Sequence, residues 1–339
     1  MDSTKIALSV FTAFGALALL FLLLRALRHI STFLHPSTLP KYLNKSKGSY
    51  ALVTGSTDGI GTGFARELCK HRFNLILHGR NPAKLSRTKA ELSREFPDLK
   101  FLPFTFDASK PTDSLENAVR EQLGADIPIT VLVNNVGGLG GQTHAQFMAL
   151  KDHLNDEVDR IINVNLRFMT QLSRVLLPVL ERNSPALIMN VSSVSHIGMP
   201  YLAIYAATKA YIQSFTNGLN MEMRAEGNNV DVMSVEIASV QTPGNPLGHG
   251  FFVPTPDKIA SSSLARVGCG SVSVVPYWRH WLQKMTIDVI PESLVKRLVV
   301  YNVKLLKTEW KRREEEQRST DDLRNEITGE ERGESRKEA

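Results

Sequence analysis

The sequence predicts a doubly wound α/β domain with a parallel sheet, preceded by an apolar helix and followed by a helical extension. Three observations support this prediction. Short apolar runs alternate with helix-length segments from position 50 onward, a glycine-rich turn follows the first run, and an uncharged apolar run lies near the N-terminus. Strands that alternate with helices form parallel sheets, because right-handed crossovers pack the helices onto both faces.

The composition excludes several classes of protein. Apolar residues make up 42% of the 339 residues and charged residues 22%, so the chain can build a core and is neither disordered throughout nor collagen-like. The two cysteines, Cys69 and Cys269, cannot form a disulfide framework or a cluster of four zinc-binding thiolates. This usage favours a reducing compartment, and we predict no metal site.

The N-terminal apolar run, residues 6–24, is long enough to cross a hydrocarbon core of about 30 Å. Signal peptides have shorter apolar regions that end in small residues, whereas Arg25 and Arg28 follow this run. The sequence therefore predicts a retained transmembrane anchor over residues 1–30, with the rest of the chain in the cytosol by the positive-inside rule. Residues 31–47 contain two prolines and are predicted to be a linker.

Six segments are predicted to be strands because each is a short apolar run bounded by turn-forming residues. They are residues 50–53, 74–77, 101–106, 130–133, 186–191 and 230–236. The segments between them have helix length, and the α/β domain is predicted to occupy residues 48–270.

Two further segments follow the predicted domain. Residues 271–310 mix apolar and basic residues with three closely spaced aromatic residues, which indicates either a helix pair that caps the domain or an amphipathic membrane surface. Residues 311–339 are almost entirely charged and predict a solvated helix that frays into disorder. The last four residues, 336–339, resemble retrieval signals of the endoplasmic reticulum.

A glycine-rich turn after the first predicted strand is typical of a dinucleotide site. Gly55, Gly59 and Gly61 allow the sharp turn and the close backbone approach that a pyrophosphate needs at a helix N-terminus. The second strand lacks the terminal acid of NAD-specific folds, and Arg80 follows instead. Because a guanidinium can neutralise a 2′-phosphate, this position favours NADP. Asp107, after the third strand, is placed to meet the adenine or to cap a turn.

The predicted catalytic centre is the pair Tyr205 and Lys209. Residues four apart share one face of a helix, so the ammonium can lower the phenol pKa from about 10 toward neutrality and reach a ribose hydroxyl. Ser192 and Ser193 precede this pair at the carboxyl end of a predicted strand, where open α/β sheets bind ligands.

Five motifs, in this order and spacing, make the chain resemble the short-chain dehydrogenase/reductases, a superfamily with a Rossmann-type fold. They are TGSTDGIG at 54–61, NNVG at 134–137, INVN at 162–165, NVSS at 190–193 and YAATK at 205–209. The aspartate of TDGIG, the NNVG motif and the N-terminal apolar run are most similar to the microsomal very-long-chain 3-oxoacyl-CoA reductases and related hydroxysteroid dehydrogenases.

The resemblance implies a role for individual residues. Tyr205 would protonate the substrate carbonyl, and Lys209 would tune Tyr205 and hold the nicotinamide ribose. Ser193 would bind the carbonyl, and Asn165 would support a water chain that resupplies the proton. The implied cofactor is NADP(H). Its predicted binding residues are Gly55, Asp58, Gly59, Ile60, Gly61, Arg80, Asp107, Asn134, Asn135, Tyr205, Lys209 and Thr242.

Two features depart from the pattern of the superfamily. The catalytic serine usually lies thirteen residues before the tyrosine, a spacing that Ser192 has, whereas the strand alignment favours Ser193, our prediction. Residues 236–239 stand where most members have a Pro-Gly turn beside the nicotinamide. This loop shapes substrate entry, so the identity of the substrate is left open.

The resemblance implies an enzyme of the endoplasmic reticulum membrane, with a cytosolic catalytic domain, that reduces a lipophilic ketone with NADPH. The leading substrate is a very-long-chain 3-oxoacyl-CoA in fatty-acid elongation; partners in an elongation complex or a homo-oligomer stay open. One alternative is a hydroxysteroid dehydrogenase or another hydrophobic carbonyl reductase, and a second is a non-catalytic membrane protein that binds NADPH. Nucleic-acid binding is not predicted, because no basic patch interleaves with aromatic residues outside the membrane-proximal segments.

Overall fold

A computed structural model of the chain describes residues 3–44, 48–124, 126–139, 147–245 and 248–334. The strands are β1 (Tyr50–Val53), β2 (Asn74–Gly79), β3 (Phe101–Thr105), β4 (Ile129–Asn134), β5 (Ala186–Ser193), β6 (Val230–Ile237) and β7 (Ser273–Val274). The helices are α1 (Ser3–Leu34), α2 (Gly59–Lys70), α3 (Pro82–Glu95), α4 (Leu115–Leu123), α5 (Asn155–Ile162), α6 (Phe168–Arg182), α7 (Ala203–Ala225), α8 (Pro256–Leu264), α9 (Trp278–Val289) and α10 (Glu292–Glu334).

The strands form one parallel sheet in the order β3-β2-β1-β4-β5-β6-β7. The predicted doubly wound α/β fold is confirmed, and the six predicted strands correspond to β1 through β6. The two-residue strand β7 lies beyond the predicted domain and was missed, because so short a segment carries no recognisable pattern. The strand order reverses between β1 and β4, and in such sheets this reversal opens a crevice at the carboxyl ends of the strands.

Alternating side chains of the strands build an apolar layer on each face of the sheet. On one face, Val53 of β1 packs with Phe64 and Leu68 of α2. On the other face, the neighbouring Leu52 belongs to the layer that contains Leu172 of α6. All five side chains are fully buried. Helices therefore cover both faces, as a parallel sheet requires, and polar residues concentrate at the carboxyl edge.

Helix α1 contains the apolar run for which the sequence predicts a membrane span, and it continues beyond that run to Leu34. Its side chains Phe11, Phe14 and Phe21 are 77%, 70% and 65% exposed. Among the residues that the structure describes, no helix combines the length and the apolar character needed to cross a membrane. The transmembrane span over residues 6–24 therefore stays a prediction.

The predicted linker is packed onto the domain. Leu39 and Tyr42 lie in a short 3₁₀ turn and are buried. The Thr38 amide donates a hydrogen bond to the Val267 carbonyl at 2.9 Å. The Tyr42 hydroxyl donates to the Asp231 carboxylate at 2.6 Å. These contacts hold residues 38–42 against the α/β domain.

Helices α9 and α10 form the C-terminal extension. Trp281 of α9 meets Phe33 of α1 edge to face, with ring centroids 5.9 Å apart. The Lys307 ammonium of α10 lies 3.8 Å from the ring centroid of Tyr201, just before α7. The extension thus contacts both α1 and the loop that leads into α7. Helix α10 covers most of the predicted charged tail, whereas residues 336–339 lie outside the described residues.

Candidate active site

The predicted catalytic side chains come from neighbouring elements at the carboxyl edge of the sheet. Ser193 is the last residue of β5, and Tyr205 and Lys209 lie one turn apart near the start of α7. Asn165 lies between α5 and α6. A Cβ atom on Gly137 would lie 3.0 Å from both Asn165 Oδ1 and Lys209 Nζ, so the loop after β4 passes directly over these two side chains.

Tyr205 hydrogen-bonds with two serines. Burial raises the pKa of Tyr205 above its ordinary value, while the hydrogen bonds with Ser193 and Ser195 act in the opposite direction. The Ser195 hydroxyl also donates to the Ser193 hydroxyl at 2.9 Å. The phenol therefore keeps its proton near neutral pH and lies within a small cluster of hydroxyl groups, a suitable arrangement for a general acid.

The structure distinguishes between the two serines that the sequence left open. The Ser192 hydroxyl is buried and donates to the Lys209 carbonyl at 3.0 Å, so it braces α7 against β5. Ser193 instead contacts Tyr205. Sequence reasoning missed Ser195, which is brought there by a 3₁₀ turn over Val194–Ile197 directly after β5. The available signal was a third serine two positions beyond Ser193.

Lys209 is 3% exposed, and its ammonium donates to the Val191 carbonyl at 3.0 Å. The ammonium lies 5.5 Å from the ring centroid of Tyr205. Burial lowers the pKa of Lys209 to about 8. The sequence led us to expect that this charge would lower the pKa of Tyr205, but burial of the phenol dominates in the structure and the pKa is raised.

Asn165 lies in a π-helical turn over Asn163–Arg167 that joins α5 to α6. Its side-chain amide donates to the carbonyls of Ile161 at 2.8 Å and Gly138 at 2.6 Å, and its Oδ1 accepts from the Gly138 amide at 2.9 Å. π turns widen a helix by one residue and recur at functional sites. Here the turn aims a fully buried amide at the loop after β4.

The glycine turn that joins β1 to α2 leaves no room for a side chain at Gly61. A Cβ atom on Gly61 would lie 2.0 Å from the Gly55 carbonyl oxygen. Gly55 and Gly59 have positive φ angles of 66° and 51°, which glycine adopts without strain. Asp58 caps α2 by accepting the Gly59 amide at 2.7 Å. Ile60 is half-buried against the apolar core. The backbone at this helix N-terminus can therefore approach a phosphate closely.

The two asparagines of the NNVG motif take different roles. The Asn135 amide group donates to the Thr54 carbonyl at 2.9 Å, beside the glycine turn. Asn134 points into the interior, where its side chain donates to Ser173 at 3.0 Å and to Asn190 at 2.8 Å. The structure thus brings Asn135, but not the Asn134 amide, to the predicted cofactor cleft.

The remaining predicted cofactor residues lie around the same cleft. Arg80 is exposed directly after β2. The Asp107 carboxylate, after β3, accepts hydrogen bonds from the Ser109 amide at 3.0 Å and hydroxyl at 2.8 Å, so it forms a turn. Thr242 lies over the start of α2, since a Cβ atom on Gly59 would be 3.3 Å from the Thr242 methyl group.

The segment 236–239, which stands in place of the Pro-Gly turn, begins with a buried acid at the end of β6. Glu236 is 6% exposed, and its Oε2 atom has no hydrogen-bond partner. His196 lies beside it, with its Nδ1 atom 3.9 Å from that oxygen and 2.9 Å from the Ser193 carbonyl oxygen. Within the described ranges, no cluster of three or more His, Cys, Asp or Glu side chains could hold a metal ion.

Comparisons with known proteins give a consistent result. Residues 49–246 match the family described as short chain dehydrogenase. The chain is 35% identical over 271 residues to a very-long-chain 3-oxoacyl-CoA reductase-like protein of Arabidopsis thaliana, which covers 76% of this chain and 81% of the relative. It is 32% identical over 295 residues to a very-long-chain 3-oxoacyl-CoA reductase of Coprinopsis cinerea, which covers 84% of each chain.

Among solved structures, one similar protein is a metagenomic short-chain oxidoreductase determined in complex with NADP. It is 26% identical with a TM-score of 0.54, and the match covers 69% of this chain and 97% of that chain.

Proposed function

Because the chain belongs to the short chain dehydrogenase family, we propose that it reduces the keto group of a very-long-chain 3-oxoacyl-CoA with NADPH. The observation that carries the proposal is the cluster of the half-buried Tyr205 and Ser193 with the buried Ser195 and Lys209, at the same sheet edge as the glycine turn. The names of the Arabidopsis and Coprinopsis relatives support the substrate class.

The residues present fit a nicotinamide dinucleotide. The turn around Gly61 has no space for a side chain and would hold the pyrophosphate, while the exposed Arg80 would pair with the 2′-phosphate. No acidic residue ends β2, and the structural neighbour was solved with NADP. When bound, the cofactor supplies the hydride that adds to the carbonyl carbon of the substrate.

Tyr205 would donate its phenolic proton to the carbonyl oxygen, which completes the alcohol. Burial keeps the pKa of Tyr205 raised, so the phenol is the form present at neutral pH and acts as an acid, which supports reduction. Ser193 would hydrogen-bond the same oxygen and hold it near the phenol. Ser195 would keep the Ser193 hydroxyl in place, since the Ser195 hydroxyl donates a hydrogen bond to Ser193 Oγ at 2.9 Å.

Lys209 would stabilise the charge that develops when Tyr205 gives up its proton. Its ammonium is charged below a pKa of about 8 and lies 5.5 Å from the Tyr205 ring. Its hydrogen bond to Val191 fixes the side chain beside the loop at Gly137, where it would also reach the ribose.

We further propose that the enzyme acts at the cytosolic face of the endoplasmic reticulum membrane, attached through α1 and the extension. The exposed apolar side chains of α1 and the contact between Phe33 and Trp281, which brings α9 beside α1, support this proposal. Residues 278–307 contain six bases and two acids, a balance that favours anionic lipid headgroups. A substrate with a long acyl chain partitions into the same bilayer.

The test of the activity is NADPH oxidation by the detergent-solubilised full chain. A long-chain 3-oxoacyl-CoA, a keto-steroid and no substrate are offered in parallel, with Tyr205→Phe as the matched control. We expect oxidation with the acyl-CoA that falls by at least 10²-fold in Tyr205→Phe, the range of general acid catalysis, while NADPH still binds. Oxidation with the steroid alone would replace the substrate class, and NADPH binding without turnover of either would indicate a non-catalytic protein.

The test of the location is flotation of the full chain with vesicles that contain anionic lipid. We expect the wild type to float and the triple variant Phe11→Ser, Phe14→Ser, Phe21→Ser to float less while it keeps its NADPH affinity. Equal flotation of the two proteins would contradict attachment through α1.

A further inference from the structure

A buried histidine lies directly beneath the glycine turn. His78, the fifth residue of β2, is 1% exposed, and its Nδ1 accepts a hydrogen bond from the Gly55 amide at 3.2 Å. Its Nε2 lies 3.1 Å from the Phe106 carbonyl oxygen. A carbonyl can only accept, so the ring carries its hydrogen on Nε2 and leaves Nδ1 free to accept from Gly55.

The same residue holds the turn through its backbone. The His78 carbonyl accepts the Ser56 amide at 3.0 Å and the Ser56 hydroxyl at 3.2 Å. Two consecutive residues of the glycine turn, Gly55 and Ser56, are therefore bound to one residue of β2. Gly55 is also the residue whose carbonyl lies against Gly61 at the start of α2, so a shift of Gly55 would move the helix N-terminus.

Aromatic packing fixes the orientation of the imidazole. The ring stacks on Phe168 of α6 with centroids 4.9 Å apart and 24° between the planes, and Phe104 of β3 lies 5.4 Å away. Burial lowers the pKa of His78 to about 4. The ring is therefore neutral at physiological pH, and only the neutral ring can accept at one nitrogen while it donates at the other.

We propose that His78 is a positioning residue for NADPH, which ties the glycine turn at Gly55 to the end of β3 at Phe106. The first segment would bind the pyrophosphate, and the second leads to Asp107, where the adenosine would lie. One side chain, which would not itself contact the cofactor, thus sets both ends of the adenosine half of the site. This inference rests on the proposed binding of NADPH.

The test is direct NADPH binding, measured by the fluorescence of the bound nicotinamide, in the full chain and in two variants. His78→Leu removes both ring hydrogen bonds and leaves the partly buried Gly55 amide and Phe106 carbonyl without that partner. His78→Asn keeps an acceptor near the position of Nδ1 and loses only the bond to Phe106. His71→Asn, at an exposed histidine that follows α2, is the matched control.

We expect the NADPH dissociation constant to rise about tenfold in His78→Leu, the change that corresponds to loss of one hydrogen bond. In His78→Asn the rise should be threefold or less, and in His71→Asn there should be none. With saturating NADPH, kcat of each folded variant should stay within twofold of wild type, because the catalytic cluster lies elsewhere. Circular dichroism and thermal unfolding establish which variants are folded.

Three results would overturn the inference. The first is an unchanged dissociation constant in folded His78→Leu, and the second is equal losses in His78→Leu and His78→Asn. The third is a fall in kcat as large as the loss of affinity. If wild type itself binds no NADPH, the proposed function fails instead, so the two failures are distinguishable. If His78→Leu does not fold, the comparison of His78→Asn with wild type decides: a rise above threefold contradicts the acceptor role.

Discussion

The two halves of the carboxyl edge are built on opposite principles. Around the glycine turn, the site depends on the absence of side chains, because a Cβ atom at Gly61 would lie 2.0 Å from a backbone oxygen. Around β5 and α7, it depends on functional groups that are present, namely the hydroxyls of Ser193, Ser195 and Tyr205 and the ammonium of Lys209. Adding atoms should therefore disrupt the cofactor half. The substrate half should instead respond to the removal of an oxygen, a proton or a charge.

Adding one methyl group to the cofactor half should have the largest effect. In Gly61→Ala the new Cβ meets the Gly55 carbonyl, which cannot move without shifting the start of α2. We expect the NADPH dissociation constant to rise at least 100-fold, measured by fluorescence titration on folded protein. Gly218→Ala is the matched control, since nothing lies within 4 Å of its Cβ position in α7. Affinity within threefold of wild type would show that the turn tolerates a side chain.

Removing one oxygen from the substrate half should come next. Ser193→Ala takes away a hydroxyl that contacts Tyr205, and we expect kcat to fall about 100-fold, within the range of general acid–base groups. Ser192→Ala removes a neighbouring hydroxyl that bonds only the Lys209 carbonyl among the described residues, and kcat should fall less than threefold. The reverse order in steady-state assays would assign the catalytic role to Ser192.

Removing the second hydroxyl should have a smaller effect. Ser195 contacts Tyr205 and donates to the Ser193 hydroxyl, so its loss leaves the main serine in place but less firmly oriented. We expect kcat of Ser195→Ala to fall about tenfold, the cost of one hydrogen bond to a reacting group. The substrate KM should be unchanged. An unaltered kcat would make Ser195 a bystander.

Removing a proton from Lys209 should produce a decline at alkaline pH. Burial lowers its pKa from 10.5 to about 8, so the ammonium is present below that pH and lost above it. We expect kcat/KM for reduction to be about tenfold lower at pH 9 than on the plateau, because about one tenth of the lysine is still charged when the pH is one unit above its pKa. In Lys209→Arg the guanidinium stays charged, and the decline near pH 8 should disappear even if the plateau is lower.

Removing a charge from Glu236 should have the smallest effect. Its Oε2 atom is buried without a hydrogen-bond partner, so a carboxylate there carries a larger desolvation cost than an amide of the same shape. We expect Glu236→Gln to raise the free energy of unfolding by about 1 kcal/mol, measured by urea denaturation. The exposed Glu226→Gln serves as control. A loss of stability would mean that the attraction to His196 outweighs the desolvation.

The fold and the family could be predicted because both depend on local sequence patterns. Six strands were located from short apolar runs, and the five motifs identified the short-chain dehydrogenase family, which the comparisons confirmed. The sequence also placed Tyr205, Lys209 and Ser193 at the same sheet edge, where they lie together. Periodicity and motif order carry this information without knowledge of distant contacts.

The features that the sequence missed depend on contacts between distant segments. Ser195 reaches Tyr205 only because a 3₁₀ turn follows β5, and such a turn is too short to leave a periodic signal. The inward direction of Asn134 depends on Ser173 of α6, which no pattern around the motif reveals. The path of the predicted linker likewise depends on Val267, more than two hundred positions away.

Because of the π-helical turn at Asn163–Arg167, the position of the Asn165 side chain depends on the number of residues in this part of the chain. Each helical residue advances the chain by about 100°, since a turn holds about 3.6 residues. Deleting one residue here would restore regular helical hydrogen bonds and strengthen the helix locally. The same deletion would rotate α5 against α6 and turn the Asn165 amide away from Gly138. One residue fewer would therefore give a more regular helix at this point and a less active enzyme.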